Sequence, residues 1–404
     1  MNNKNKINSL LTGLWRWRSL ILAVFIALLA LQIRLDAASR LPVDADEDTY
    51  LNAALHYSDS IRTGNWKQIY KYDENNQHPA LAKLSYVLTL LPEKSASHLQ
   101  PKDIPFDVPV YLTPGARWIL AARDMAAVWG GLKVFALSLL SPLAGLLLSF
   151  HSNDILYTSE VYLEALPAFT ALLSMIAYDQ WRRREFSPAG KNGGSRFRWL
   201  WLAASAVFLG MSGAGKYMYC LVGIAIVIDL VWRMVSERKL SNTHLAYLLG
   251  WAALALVLFF ISNPIIWIHT IQRLLDSIVF HVNYSQSWDV KGAHRAWWFP
   301  LYLLTHSVSA YRPDLKNFFA IRPELFIALL GLLGLPLLWL RQRPYAIWLL
   351  VVVAFLLLWP TKWDQYTMLA LAPLCYSAGH LLEWAIAWAF KRIRSRYSIS
   401  QTAA

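Results

Sequence analysis

Cysteine is almost missing from this chain: Cys220 and Cys375 are the only two in 404 residues, and both lie in apolar stretches. That excludes a disulfide framework and a cysteine-based metal cluster. Acidic residues are also scarce, 25 against 38 Lys and Arg, which leaves a formal net charge of +13. Such a balance marks a nucleic-acid binder when it forms one basic patch. Here the basic residues cluster at alternate ends of apolar runs, so membrane topology accounts for them and no nucleic-acid partner is expected. The full Gly-x-x-x-x-Gly-Lys-Ser/Thr phosphate loop is absent, since Gly213-Ala214-Gly215-Lys216 is followed by Tyr217, so nucleotide binding has no support. There is no internal repeat and no terminal segment that reads as a separate soluble domain. What is abundant is apolar surface: 56% of residues are hydrophobic, mean hydropathy is +0.35, and 20 Trp and 19 Tyr suit a chain with many water–lipid boundaries.

These features predict an all-α polytopic membrane protein, residues 1–404 forming one transmembrane domain. The first apolar core is Leu20 to Ile33, preceded by Arg16 and Arg18. Its length, with Ala37 and Ala38 after it, also fits a cleaved signal peptide. A retained helix is the better reading, because later segments alternate correctly only from a cytoplasmic N-terminus. Further spans are predicted near 118–139, 142–157, 162–181, 199–214, 217–235, 244–262, 324–340, 345–360 and 367–389, about ten helices with both ends inside. Arg182 to Arg184 with Lys191, Arg196 and Arg198, then Arg233, Arg238 and Lys239, then Arg341 and Arg343, then Lys391 to Arg396 all fall on the cytoplasmic side of that topology.

Two segments are too polar to span, residues 36–117 and 263–323, and both land outside. The first carries the acidic residues. In the second, Asn263 to His269 and Trp297 to Leu304 read as interfacial or re-entrant pieces. Pro101 to Pro114, with four prolines, reads as an irregular loop.

Chemistry-bearing residues collect on the same outer side. Asp44, Asp46, Glu47 and Asp48 stand within five residues. Packed carboxylates split their pKa values, leaving one as a base near neutral pH, although a solvated loop that blocks insertion would look the same. Gln77-His78-Pro79-Ala80-Leu81-Ala82-Lys83 is a polar start to an apolar helix, and Lys83 either snorkels or reaches phosphate depth. Arg123 pairs with Asp124 or a Glu47-type carboxylate, or else meets substrate; Gly130 and Gly131 below it suggest close helix contact. Glu160 and Glu164, spaced i, i+4, share a helix face where the fourth span begins, and Glu164 is the deeper and better functional candidate. Lys216 sits in a tight glycine-flanked hairpin, and Lys362, Asp364 and Tyr366 lie in a later outer turn.

In this order and spacing the chain resembles the GT-C class of membrane glycosyltransferases, in the branch of the dolichyl-phosphate-mannose protein mannosyltransferases and lipid A aminoarabinose transferases. Asp46-Glu47-Asp48-Thr49-Tyr50 is similar to that family's Asp-Glu-x-x-Tyr motif, and His78 to Leu84 to its His-Pro-Pro-Leu-x-Lys-Leu stretch, with Ala80 in place of the second proline. Arg123 with Gly130, Tyr162 to Leu166, Leu209-Gly210 followed by Lys216, and Tyr366 ahead of Pro373 resemble further family positions, over residues 15–390. The resemblance implies a polyprenyl- or dolichyl-phosphate-linked sugar donor, an acceptor glycan, lipid or protein, and inverting transfer of one sugar with Asp46 as base. It implies Glu47 beside Asp46, and Tyr50, His78, Lys83, Arg123, Glu164, Lys216, Lys362 and Tyr366 around the substrates. Related oligosaccharyltransferases use a divalent metal and the mannosyltransferase branch is thought not to, so no metal or cofactor is expected. The compact chain points to a prokaryotic plasma membrane. A transporter or flippase of polyprenyl-linked glycans is the competing reading, but the charges lie on one side and no inverted repeat is present.

Overall fold

Helix α1 (Asn3–Arg40) runs without a break from the basic N-terminal stretch to the acidic loop, and its inner face enters the core through Ala23, Ile26 and Ala30. It packs along α5 (Ala116–Leu140), where Gly130 and Gly131 permit the approach: a Cβ on Gly131 would stand 3.3 Å from Leu31. The computed structural model describes residues 3–93, 108–113, 115–186, 198–236, 242–307 and 323–402. Pro101 to Pro105 of the proline-rich stretch, and Pro114, lie outside them.

Between α1 and α5 the first predicted loop folds into α2 (Glu47–Arg62), α3 (Lys67–Lys71) and α4 (Leu81–Leu90). After α5 come α6 (Pro142–Ser149) and α7 (Ser152–Tyr157), then α8 (Ala165–Glu185), α9 (Arg198–Gly215), α10 (Leu221–Ser236) and α11 (Asn242–Ile261). The second predicted loop holds α12 (Thr270–Ser285), α13 (Trp288–Gly292) and α14 (Phe299–Thr305). The chain closes with α15 (Pro323–Leu358) and α16 (Met368–Thr402). No strand occurs among the described residues beyond an isolated bridge between Pro42 and Pro109.

The protein is an all-α polytopic membrane protein. Trp17–Arg40, Tyr217–Ser236, Asn242–Ile261 and Pro323–Leu358 are long and apolar enough to cross a bilayer. The last is two helical arms joined by a kink at Gln342, whose backbone leaves the helical region (φ −139°, ψ 49°) between the two spans expected from sequence. Helices α5 and α8 bury most of their residues in the bundle.

Two expectations fail locally. Residues 142–157 are not one span but two short helices broken at His151, because His151, Ser152, Asn153 and Asp154 form a polar run that protein groups must satisfy. Glu160 and Glu164 do not share a helix face, since α8 starts only at Ala165 and the residues before it are irregular. At the pole where α8 ends, Asp179 pairs with Arg182 and Arg183, and Asp229 with Arg343. The acidic loop lies at the opposite pole.

Candidate active site

The acidic loop is built like a capping box. The Asp44 side chain accepts from the Asp46 amide at 3.0 Å, and Glu47 Oε2 accepts from the Asp44 amide at 3.0 Å, closing the start of α2. Arg123, buried in α5, reaches up beneath this turn. Its Nε donates to Glu47 Oε1 at 2.9 Å, Nη2 pairs with Glu47 Oε2, and the remaining donors take the carbonyls of Ala38, Leu41 and Pro42 at 2.8–2.9 Å. A guanidinium has five N–H groups, and all five are used. Glu47 Oε1 also accepts from the Val161 amide at 2.7 Å.

The four carboxylates therefore divide sharply. Glu47 is locked to Arg123; Asp44 accepts from the Tyr162 hydroxyl; Asp48 accepts from Thr49 at 2.9 Å. The carboxylate of Asp46, at the head of α2, accepts no hydrogen bond from any described residue, and the residue stands exposed on the wall of a cavity. Desolvation by the cavity walls raises its pKa to about 6, with the Asp44 charge adding to the rise and Lys216 opposing it.

That cavity encloses about 540 Å³. Tyr50, Tyr157, Tyr162 and Tyr366 give it aromatic walls, with Tyr50 and Tyr162 edge to face at 6.0 Å. The turn Asn75 to His78 forms a second side, and α12 closes a third with Phe280, His281 and Tyr284. His78 sits edge-on to His281 at 5.6 Å, and burial pushes its pKa well below the usual imidazole value, so it is neutral at pH 7. The sequence reading missed His281, Tyr284 and Arg295, which carry no motif.

Two cations face this space. Lys216 pairs with Glu164 and lies 5.3 Å from the centre of the Tyr366 ring. Arg295 is held through Nη1 alone, by the Lys362 carbonyl and by Asp364 Oδ1 at 2.6 Å, with Phe299 and Trp363 rings 4.7 and 4.9 Å from its guanidinium carbon. Its other donors have no acceptor among the described residues. His294, just before it, adopts a left-handed backbone (φ 44°), which sets the angle at which Arg295 leaves α13.

Of the residues expected from sequence, Asp46, Tyr50, His78, Lys216 and Tyr366 line the cavity, and Glu164 lies behind Lys216. Glu47 and Arg123 form the buried clamp under the loop. The Lys83 ammonium donates to the Asn75 carbonyl, the Asn75 side chain and the His78 carbonyl at 2.9–3.2 Å, so it braces the turn and does not face the cavity. Lys362 donates to the carbonyls of Leu356 and Leu357 at 2.7 and 2.9 Å, capping the end of α15. Lys83, Arg123 and Lys362 thus do not line the cavity, whereas Lys216 and Arg295 do. No group of three or more His, Cys, Asp or Glu placed to hold a metal occurs among the described residues.

From Tyr217, next to Lys216, an apolar groove of about 550 Å³ runs between α9, α10 and α11, lined by Leu209, Gly223, Trp251 and Phe259. At Val227 and Ile228 it joins another, of about 570 Å³, that continues along α10 to Ser236.

No protein-family model and no characterised sequence matches the chain. Solved structures do match in fold. ArnT from Cupriavidus metallidurans bound to undecaprenyl phosphate aligns with a TM-score of 0.54 at 16% identity, over 91% of this chain and 60% of that one. The same protein in its apo state aligns at 0.54 and 15%, over 89% and 59%. The archaeal oligosaccharyltransferase AglB from Archaeoglobus fulgidus, in complex with an inhibitory peptide and a dolichol-phosphate, gives 0.52 at 11%, over 95% and 52%. The chain spans less than two thirds of the length of each. In fold, this chain is similar to these membrane proteins.

Proposed function

We propose that the protein is a membrane glycosyltransferase that moves one sugar, a hexose or pentose, from a polyprenyl- or dolichyl-phosphate donor to an acceptor hydroxyl. The observation that carries this is the isolation of Asp46: one carboxylate of four is left without a donor, and it faces a cavity holding two cations. In the step proposed, the acceptor oxygen attacks the anomeric carbon, its proton passes to Asp46, and the bond from that carbon to the phosphate oxygen breaks. Inversion follows from this single displacement. The negative charge that grows on the leaving lipid phosphate is met by Lys216 and the free donors of Arg295. Tyrosine faces suit the C–H surface of a sugar, and the groove from Tyr217 down α10, about 30 Å at helical rise, suits an isoprenoid chain.

Glu47 and Arg123 act in this scheme by holding the loop, and Glu164 by holding Lys216. The acidic pole is assigned to the extracytoplasmic side of a prokaryotic plasma membrane, with both termini cytoplasmic. The test is Asp46→Asn, assayed by mass spectrometry against a panel of polyprenyl-phosphate sugars. Transfer is expected to collapse while membrane abundance and donor binding persist; near-normal transfer would end the assignment of Asp46 as base.

A further inference from the structure

Beneath the site, three charges meet where none is exposed to water. Asp154 of α7 takes Arg34 of α1 on one oxygen and Lys133 of α5 on the other, with side-chain exposures of 0–1%. Arg34 Nε donates to Thr158 Oγ1 at 2.8 Å, and Thr158 in turn donates to the Asp154 carbonyl at 2.5 Å. Gly130 makes room: a Cβ there would come within 2.7 Å of Thr158 and 2.8 Å of Arg34. Charges buried at this depth are costly, and bundle cohesion does not require them, since apolar side chains of similar volume do that work as well or better.

What the triad does hold is the irregular strap 158–164, every residue of which is buried. The strap ends in contacts with each part of the site. The Val161 amide donates to Glu47, the Tyr162 hydroxyl donates to Asp44, and Glu164 pairs with Lys216. Tyr86 fixes the strap from the other side through the Tyr162 carbonyl. A segment without helix or strand hydrogen bonds has no intrinsic register, so something must supply one.

We propose that Arg34, Lys133 and Asp154 are positioning residues for the reaction: the triad sets the register of strap 158–164, and through it the placement of the acidic loop and Lys216. This rests on the transferase reading only for its kinetic arm.

The experiment replaces all three charges together, Arg34→Met with Lys133→Met and Asp154→Leu, in the full chain in bilayer nanodiscs. Removing a complete buried ionic group leaves stability near the wild-type value. Amide hydrogen exchange over 158–164 is expected to accelerate, and kcat for transfer to fall on the order of 10- to 100-fold, the scale of a misplacement near 1 Å, with donor affinity changing less than kcat. Unchanged exchange over the strap in a folded triple variant overturns the proposal, and so does faster exchange with unchanged kcat. Should the triple variant fail to fold, Thr158→Val removes only the hydroxyl that Arg34 grips; strap exchange equal to wild type then overturns it. If the wild-type protein transfers no sugar from any donor, the transferase reading fails, while the exchange result still decides the register claim.

Discussion

Arg123→Met offers the sharpest separation between a substrate-binding arginine and a loop clamp. The substitution keeps much of the side-chain length while deleting five donors, and it leaves Glu47 buried at about 1% side-chain exposure with only the amides of Asp44 and Val161 for company. Breaking one side of a buried pair costs about 3–5 kcal/mol, most of it the penalty for an uncompensated charge. The carbonyls of Ala38, Leu41 and Pro42 lose their donor as well, so the upper end of that range is expected. Adding Glu47→Leu removes the stranded charge, and most of the lost stability should return in the double variant, a coupling of roughly 3 kcal/mol. Chemical unfolding followed by tryptophan emission gives the stabilities, and mass spectrometry of bound donor gives affinity. A single variant as stable as wild type that binds donor more weakly would refute the clamp and return Arg123 to the phosphate.

Three other expectations follow from the site. Asp46 works as a base only when ionised, and its pKa is about 6, so kcat/KM should hold above that value and fall about tenfold per pH unit well below it; Asp44→Asn removes a charge that raises this pKa, so the acid limb should move to lower pH. Lys216→Met and Arg295→Gln should each raise the donor Kd by about 10- to 100-fold, the scale for losing one side of a charged contact, and titration with donor lipid in nanodiscs measures it; unchanged Kd in both would remove phosphate from that corner. Gly130→Ala should destabilise by about 1–3 kcal/mol through overpacking against Thr158 and Arg34, read as a lower thermal midpoint.

Sequence alone carried the all-α polytopic membrane class, because apolar run length and basic flanks report the bilayer directly. It also singled out Asp46, Tyr50, His78, Lys216 and Tyr366, which the fold brings to one cavity. It failed where partners are chosen by three-dimensional proximity. Lys83 and Lys362 look like free cations in a linear string, yet their donors are taken by backbone carbonyls five to eight residues away. Arg295 and His281 belong to a segment without motif, and they reach the site because Arg273 and Ser277 dock α12 onto Asp73 and Gln77, 200 residues earlier. Two signals were legible and unused. Asp44-x-x-Glu47 is a capping-box spacing, which assigns Glu47 to the loop and frees Asp46, and the run His151 to Asp154 is too polar to lie inside an unbroken span.

Helix α12 has two unlike faces. Ile271, Leu275, Ile278, Val279 and Val282 point outward, each more than half exposed, while His281 and Tyr284 on the other side are part of the cavity wall. The wall therefore has a backing that the described residues do not provide. In a bilayer that backing is the boundary lipid, whose lateral pressure and headgroup size become mechanical inputs to the spacing between His281 and His78. Short-chain detergent supplies a softer one. Donor binding measured in micelles and in membranes then reports on two differently braced cavities, and the lipid composition of a reconstitution counts among the reagents.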